Sequence, residues 1–280
     1  MMLELGQLLQ SRYRVVSRLG EGGMGAVYRA LDTRLDVPVA LKEMVPQPGL
    51  SSPQLAQLRR QFRHEAQVLA RLDHPYLVDV TDFFAKDDRA HLVMKFVEGE
   101  SLAQRIKKGG ALSEDKVLNI GEQLLDALSY CHSQGVIHRD VKPENVILRP
   151  DGAAVLVDFG LVKLWDPQDP RTKTAMRGMG TPEYAPPEQY DLQVGHTDVR
   201  SDVYSLGATL YHALTGEAPP TATQRIASRG VFQPPRVLNR RISERTEAVV
   251  LQAMQLTVDD RFQDVQEMKR ALTGRSDQGE

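Results

Sequence analysis

The chain has 280 residues, 41% of them hydrophobic and 26% charged, with a net charge of −2. That length exceeds one ordinary domain and predicts a large or two-lobed unit, and the near-neutral balance excludes a bulk electrostatic surface for nucleic acid or membrane. The one cysteine, Cys131, excludes an internal disulfide and suits a reducing, cytoplasmic compartment. The opening MMLELGQLLQ has neither a basic n-region nor a long apolar core, so no signal peptide is expected. The apolar run Val203–Leu214 is too short, and too interrupted by Tyr, Ser and His, to cross a bilayer.

The first third reads as short strands with one helix. Tyr13–Leu19 and Ala26–Leu31 are apolar-rich runs joined by a glycine-rich turn, and Val37–Val45 is a third strand. The turn, Gly20-Glu21-Gly22-Gly23-Met24-Gly25, fits G-x-G-x-x-G. Alone it fits a ligand-free hairpin turn equally well. A dinucleotide-binding reading needs a helix after it, whereas Ala-Val-Tyr-Arg-Ala-Leu reads as a strand, and the Gly-Lys-Ser/Thr of a P-loop is absent. What remains is a strand–turn–strand flap whose bare backbone can approach phosphates.

Lys42 follows in Val39-Ala40-Leu41-Lys42; it is either an edge lysine facing water or a paired cation. A helix opening at Ser52-Pro53 places Leu55, Leu58, Phe62, Leu69 and Leu72 at steps of three and four, with Glu65 standing inside that stripe. A carboxylate there needs a cationic partner, for which Lys42 is the candidate; the alternative puts Glu65 at the rim. Leu77–Phe84 and Ala90–Phe96 form a further strand pair, turned at Lys86-Asp87-Asp88. Strand pattern then gives way at Val97–Gly99. The expected organisation is a β-rich lobe over 1–97, an α-rich lobe over 98–272 and a polar, disordered tail over 273–280.

In the second lobe Ser113–Gln134 predicts a long helix, with Ser113 as cap, Glu114 and Asp115 in its first turn and Gly135 at its end. Val203–Leu214, Arg245–Leu256 and Phe262–Leu272 are further helices. Between them lies His138-Arg139-Asp140-Val141-Lys142-Pro143-Glu144-Asn145, then a strand from Val146, an Asp151-Gly152 turn, and a return strand ending in Asp158-Phe159-Gly160. A two-residue turn at Asp151-Gly152 pairs residues whose numbers sum to 303, which sets Asn145 opposite Asp158. An amide oxygen beside a carboxylate suits a hard cation such as Mg²⁺, although the pairing can also arise by chance. Asp140 can accept a hydrogen bond from an incoming hydroxyl at the same mouth, and Lys142 can lend positive charge.

These segments together resemble the protein kinase family, over roughly residues 11–272, and most closely the bacterial eukaryotic-like (Hanks-type) serine/threonine kinases. The resemblance implies a bilobal α+β fold that transfers the γ-phosphate of ATP, with Mg²⁺ or Mn²⁺, to Ser/Thr hydroxyls of protein substrates, and it allows a homodimer. In it Gly20, Gly22, Gly25 and Val27 form the nucleotide flap, and Lys42 and Glu65 its ion pair. Ala40, Met94, Lys95 and Val97 line the adenine side and hinge. Asp140 and Lys142 act at the transferring phosphoryl group, and Asn145 and Asp158 hold the metal. Glu188 ends the activation segment with Arg261 as ion-pair partner, Asp202 braces the catalytic loop, and Thr181 bonds near Asp140 and Lys142. Pro186-Pro187-Glu188 replaces the usual Ala-Pro-Glu, and Lys95 stands where an acidic residue is frequent.

The segment between Asp158 and Glu188 carries Thr172 and Thr174. Phosphorylation of either can order such a loop by pairing with an arginine, and Arg139 is the ready partner. Three rivals stand beside this reading: a pseudokinase, which predicts loss of Lys42, Asp140 or Asp158; a small-molecule phosphotransferase, which lacks a segment like Gly180–Glu188; and a non-enzymatic interaction domain.

Overall fold

Alternating burial along the first strands builds an antiparallel sheet. The computed structural model describes residues 3–22, 25–44, 52–86, 89–158, 181–190, 197–228 and 230–274. The chain divides into two compact units, one of residues 1–73 and 77–98 and one of residues 74–76 and 99–280.

In the first unit β1 (Leu8–Leu9), β2 (Tyr13–Gly22), β3 (Gly25–Asp32), β4 (Val37–Met44), β5 (Val80–Lys86) and β6 (Arg89–Lys95) pair in the order β1-β2-β3-β4-β6-β5. One face gathers Leu9, Tyr13, Val15, Ala26, Tyr28, Ala30, Val39, Leu41 and Val93 into a core. Each large apolar side chain so buried stabilises the fold by about 1.5–3 kcal/mol. Helix α1 (Ser52–Leu69) follows β4 and buries Phe62, Ala66 and Leu69.

The second unit is mostly helical: α2 (Leu102–Gly109), α3 (Glu114–Ser133), α4 (Val199–Thr215), α5 (Ala222–Ala227), α6 (Pro235–Leu238), α7 (Glu244–Ala253) and α8 (Val265–Thr273). Helix α4 is buried on every side from Ser201 to Tyr211, as expected of a helix at the centre of a bundle. Its hydroxyls are satisfied locally: Ser205 Oγ donates to the Ser201 carbonyl at 3.0 Å and Thr209 Oγ1 to the Ser205 carbonyl at 2.9 Å. No helix among the described residues is long and apolar enough to cross a membrane.

A small sheet is formed by β7 (Glu100–Ser101), β8 (Val146–Leu148) and β9 (Ala154–Leu156), of which β8 and β9 follow the segment around Asp140. Here the expected register is off by one. Val146 faces Leu156, Ile147 faces Val155 and Leu148 faces Ala154, so Asn145 does not stand opposite Asp158. The loop has three residues: Gly152 N donates to the Arg149 carbonyl at 3.0 Å, and Arg149 N to the Ala153 carbonyl at 2.8 Å. Pro150, with its fixed φ, takes the first corner, and Gly152 at φ 90 supplies the left-handed residue that closes a bulged turn.

The helix starts also differ from the sequence pattern. Asp198, Ser243 and Asp264 accept from Arg200 N, Thr246 N and Glu267 N, and so begin α4, α7 and α8 at Val199, Glu244 and Val265. Ser113 precedes α3 but makes no side-chain cap bond.

Glu188, in the short 3₁₀ turn Pro187–Gln189, meets Arg261 with both side chains fully buried. The pair is bidentate, at 2.7 and 3.0 Å, and Ser201 Oγ donates to Glu188 Oε1 at 2.8 Å. Arg261 also donates to the carbonyls of Gln255 (2.7 Å), Leu256 (3.2 Å) and Arg200 (3.3 Å), and its guanidinium lies 5.0 Å over the Tyr204 ring. Removing one partner strands a buried charge. Arg261→Met is expected to destabilise the fold by about 3–5 kcal/mol, read as a lower urea midpoint, with Glu188→Gln smaller in effect because it keeps one acceptor.

Candidate active site

The first unit places its candidates by strand register. Val27 faces Gly20 on β2 and Lys42 on β4; Lys42 also faces Leu92, and Ala40 faces Met94. Directly paired residues share a face, so Val27, Ala40, Lys42 and Met94 lie together on the side of the sheet opposite Leu41 and Val93. Gly22 pairs with Gly25 across the flap. At Gly25 φ is 138, and a Cβ there would stand 1.9 Å from the Glu43 carbonyl oxygen, so only glycine fits between β3 and β4. Met94 is buried and Val97 half-buried. Lys95 is exposed, with Nζ 3.1 Å from Asp79 Oδ2. Lys42 is half-buried on β4. Glu65 lies within α1, but its side chain is outside the described residues, and so therefore is the expected pair with Lys42.

In the second unit Asp140, Lys142, Asn145 and Asp158 form a connected set. Asp140 Oδ2 receives Lys142 Nζ at 2.8 Å and Asn145 Nδ2 at 2.8 Å. Asn145 Nδ2 also donates to the Asp140 carbonyl at 2.8 Å and, at 3.4 Å, to the Asp158 carbonyl. These acceptors fix the amide orientation, because Oδ1 in that place would face other oxygens. Among the described residues neither Asp140 Oδ1 nor Asn145 Oδ1 takes a hydrogen bond. Asn145 and Asp158 therefore do come near one another, through the Asn145 amide rather than as a cross-strand pair. Asp158 has φ 59, a left-handed conformation that Asp tolerates better than most residues.

A family profile described as protein kinase domain matches residues 13–269. This chain belongs to the protein kinase family. It is 33% identical, over 94% of its length, to a probable serine/threonine-protein kinase of Clostridium perfringens, and 34% identical over 95% to the probable serine/threonine-protein kinase PknB of Lactococcus lactis. It is 36% identical over 96% to the serine/threonine-protein kinase pkn3 of Myxococcus xanthus. The chain spans only 38%, 42% and 50% of those relatives.

Within this kinase domain the loop around Asp140 is held by a fully buried carboxylate. Asp202 on α4 accepts from His138 N (2.9 Å), Arg139 N (2.7 Å) and His132 Nε2 (2.8 Å). Burial alone pushes its pKa up; the His132 hydrogen bond, the electrostatic influence of the His132 and His138 rings and the bond from Arg139 N outweigh that and hold it below the ordinary carboxylate value. Arg139 is buried, at φ 66. Its expected partners Thr172 and Thr174 lie outside the described residues. Thr181 is half-buried, and its expected bond to Asp140 or Lys142 is not among the hydrogen bonds of the described residues; its carbonyl accepts from Tyr184 N at 3.1 Å.

Two residues that touch the loop carry no signal in the motifs: His132, near the end of α3, and Gln189. For His132 the hint is its place on the last turn of a helix whose preceding residues Leu124, Leu125, Leu128 and Cys131 are buried.

Asp202→Asn puts an amide nitrogen where two oxygens now receive three donors. A loss of about 2–4 kcal/mol is expected at pH 7. Because the folded pKa is depressed, the carboxylate's contribution is complete above about pH 4 and disappears as pH falls through the folded value. Urea unfolding from pH 8 to 3 should show wild type and variant separated at neutral pH and converging only below about pH 4.

Proposed function

We propose that this domain is an active serine/threonine protein kinase that transfers the γ-phosphoryl group of ATP to protein hydroxyls with Mg²⁺, and that Mn²⁺ can substitute. One observation carries the reading: Asp140 has Oδ2 pinned by Lys142 and Asn145 while Oδ1 is open and the residue is half-exposed. A carboxylate so held can accept the proton of a hydroxyl as the hydroxyl oxygen bonds to phosphorus and the bond to ADP breaks. Lys142, on the same oxygen, offers a cation to the phosphoryl oxygens. The oxygen donors Asn145 Oδ1 and the Asp158 carboxylate fit a hard divalent ion, which would neutralise phosphate charge. In the first unit Lys42 is assigned to the nucleotide phosphates and Glu65 to holding it. The names of the relatives support serine and threonine as acceptors.

The presence of Lys42, Asp140 and Asp158 speaks against a pseudokinase, and the segment ending in Glu188, anchored on Arg261, speaks against a small-molecule phosphotransferase. The test is intact mass before and after Mg-ATP, beside Asp140→Asn. Wild type should gain phosphate masses, and the variant should bind ATP but transfer about 10²-fold more slowly or worse. Phosphopeptide mapping should place the groups on Thr172 or Thr174. Nucleotide bound without transfer by wild type would favour the pseudokinase, and no binding would favour an interaction domain.

A further inference from the structure

The peptide unit joining Arg139 to Asp140 is held at both of its polar atoms. Its carbonyl, that of Arg139, accepts from Gln189 Nε2 at 2.9 Å. Its N–H, that of Asp140, donates to His138 Nδ1 at 3.3 Å. One peptide earlier, Arg139 N is fixed on Asp202 at 2.7 Å. Arg139 needs this treatment because it sits at φ 66. A β-carbon-bearing residue there is strained by about 1–2 kcal/mol and persists only where its surroundings over-determine it.

Gln189 is well placed to impose that constraint. It ends the 3₁₀ turn Pro187–Gln189, and the preceding Glu188 is fastened by Arg261 and Ser201. The backbone carrying Gln189 is therefore tied to the helical core, and its amide reaches from there to the catalytic loop. Only a donor can serve, because the target is a carbonyl oxygen.

We propose that Gln189 is a positioning residue for Asp140: by holding the Arg139 carbonyl it sets the rotation of the peptide plane from which Asp140 departs, and so the direction of the Asp140 carboxylate. This rests on the reading of Asp140 as the acceptor of the hydroxyl proton. A rotated plane would misdirect Oδ1 without touching ATP binding, so the loss should appear in kcat and not in KM for ATP.

Three variants test it, with Mg-ATP, dephosphorylated casein as acceptor, and melting temperature measured for each. Gln189→Met keeps the length but has no donor, and kcat should fall about fivefold with KM for ATP unchanged. Gln189→Glu is closest in shape but sets an acceptor against the carbonyl, so it should lose about tenfold or more. Gln189→Lys keeps a donor and should stay within about twofold of wild type. A packing role predicts the opposite order, with Glu better than Met, and that order overturns the proposal. So does a kcat that tracks melting temperature through all three variants, Lys included, or wild-type kcat in Met and Glu. Should the Glu variant not fold, the comparison of Met with Lys decides alone. Absence of transfer by the wild-type protein would instead strike the kinase reading on which the proposal stands.

Discussion

The buried carboxylate of Asp202 is the constraint on which the catalytic segment depends. A charge wholly out of water is tolerable only if donors surround it, and Asp202 obtains three, two of them backbone amides of the loop itself. The requirement runs both ways. The loop amides of His138 and Arg139 are buried and need an acceptor, and one carboxylate supplies both. Its neighbour Ser201 serves the other flank by donating to Glu188. Two consecutive residues at the start of α4 thus fix the catalytic loop and the end of the Gly180–Glu188 segment to one rigid element. That start is itself secured, because Asp198 caps α4 and also pairs with Arg200.

Such rigidity has a chemical use. Phosphoryl transfer asks little covalent chemistry of the protein and much positioning and charge placement. Groups already aimed need no reorganisation at the moment of reaction. Asp140, Lys142 and Asn145 meet this condition through each other, since a single oxygen of Asp140 receives both partners. The oxygens left over, Asp140 Oδ1 and Asn145 Oδ1, are the ones the proposed kinase reading gives to substrate and metal.

Much of this was legible in the sequence because the informative residues are close together along the chain. The flap, the lysine strand and the segment from His138 to Gly160 are local strings whose spacing suggests phosphate chemistry. The hairpin register was missed by one because the Asp151-Gly152 signal hid Pro150, which takes the first corner and lengthens the turn. The helix starts were missed because Asp198 and Asp264 lie outside the apolar runs that mark the helices. His132 and Gln189 were illegible for another reason: their partners are 70 and 50 residues away, and no periodicity announces a hydrogen bond across that distance.

The distribution of backbone strain follows the same division. Among the described residues five other than glycine have positive φ. Gln10, Ser11 and Asp36 sit in the tight turns of the sheet unit, where Ser and Asp accept that conformation readily. Arg139 and Asp158 are the remaining two, and they flank the catalytic segment, one before Asp140 and one after β9. Asp is suited to φ 59, because its short side chain can bond to nearby backbone. A long Arg side chain lacks that short-range option, and the backbone groups of Arg139 are held by Asp202 and Gln189. The fold therefore places two clamps, Asp202 on the amide and Gln189 on the carbonyl, around the left-handed residue that precedes Asp140.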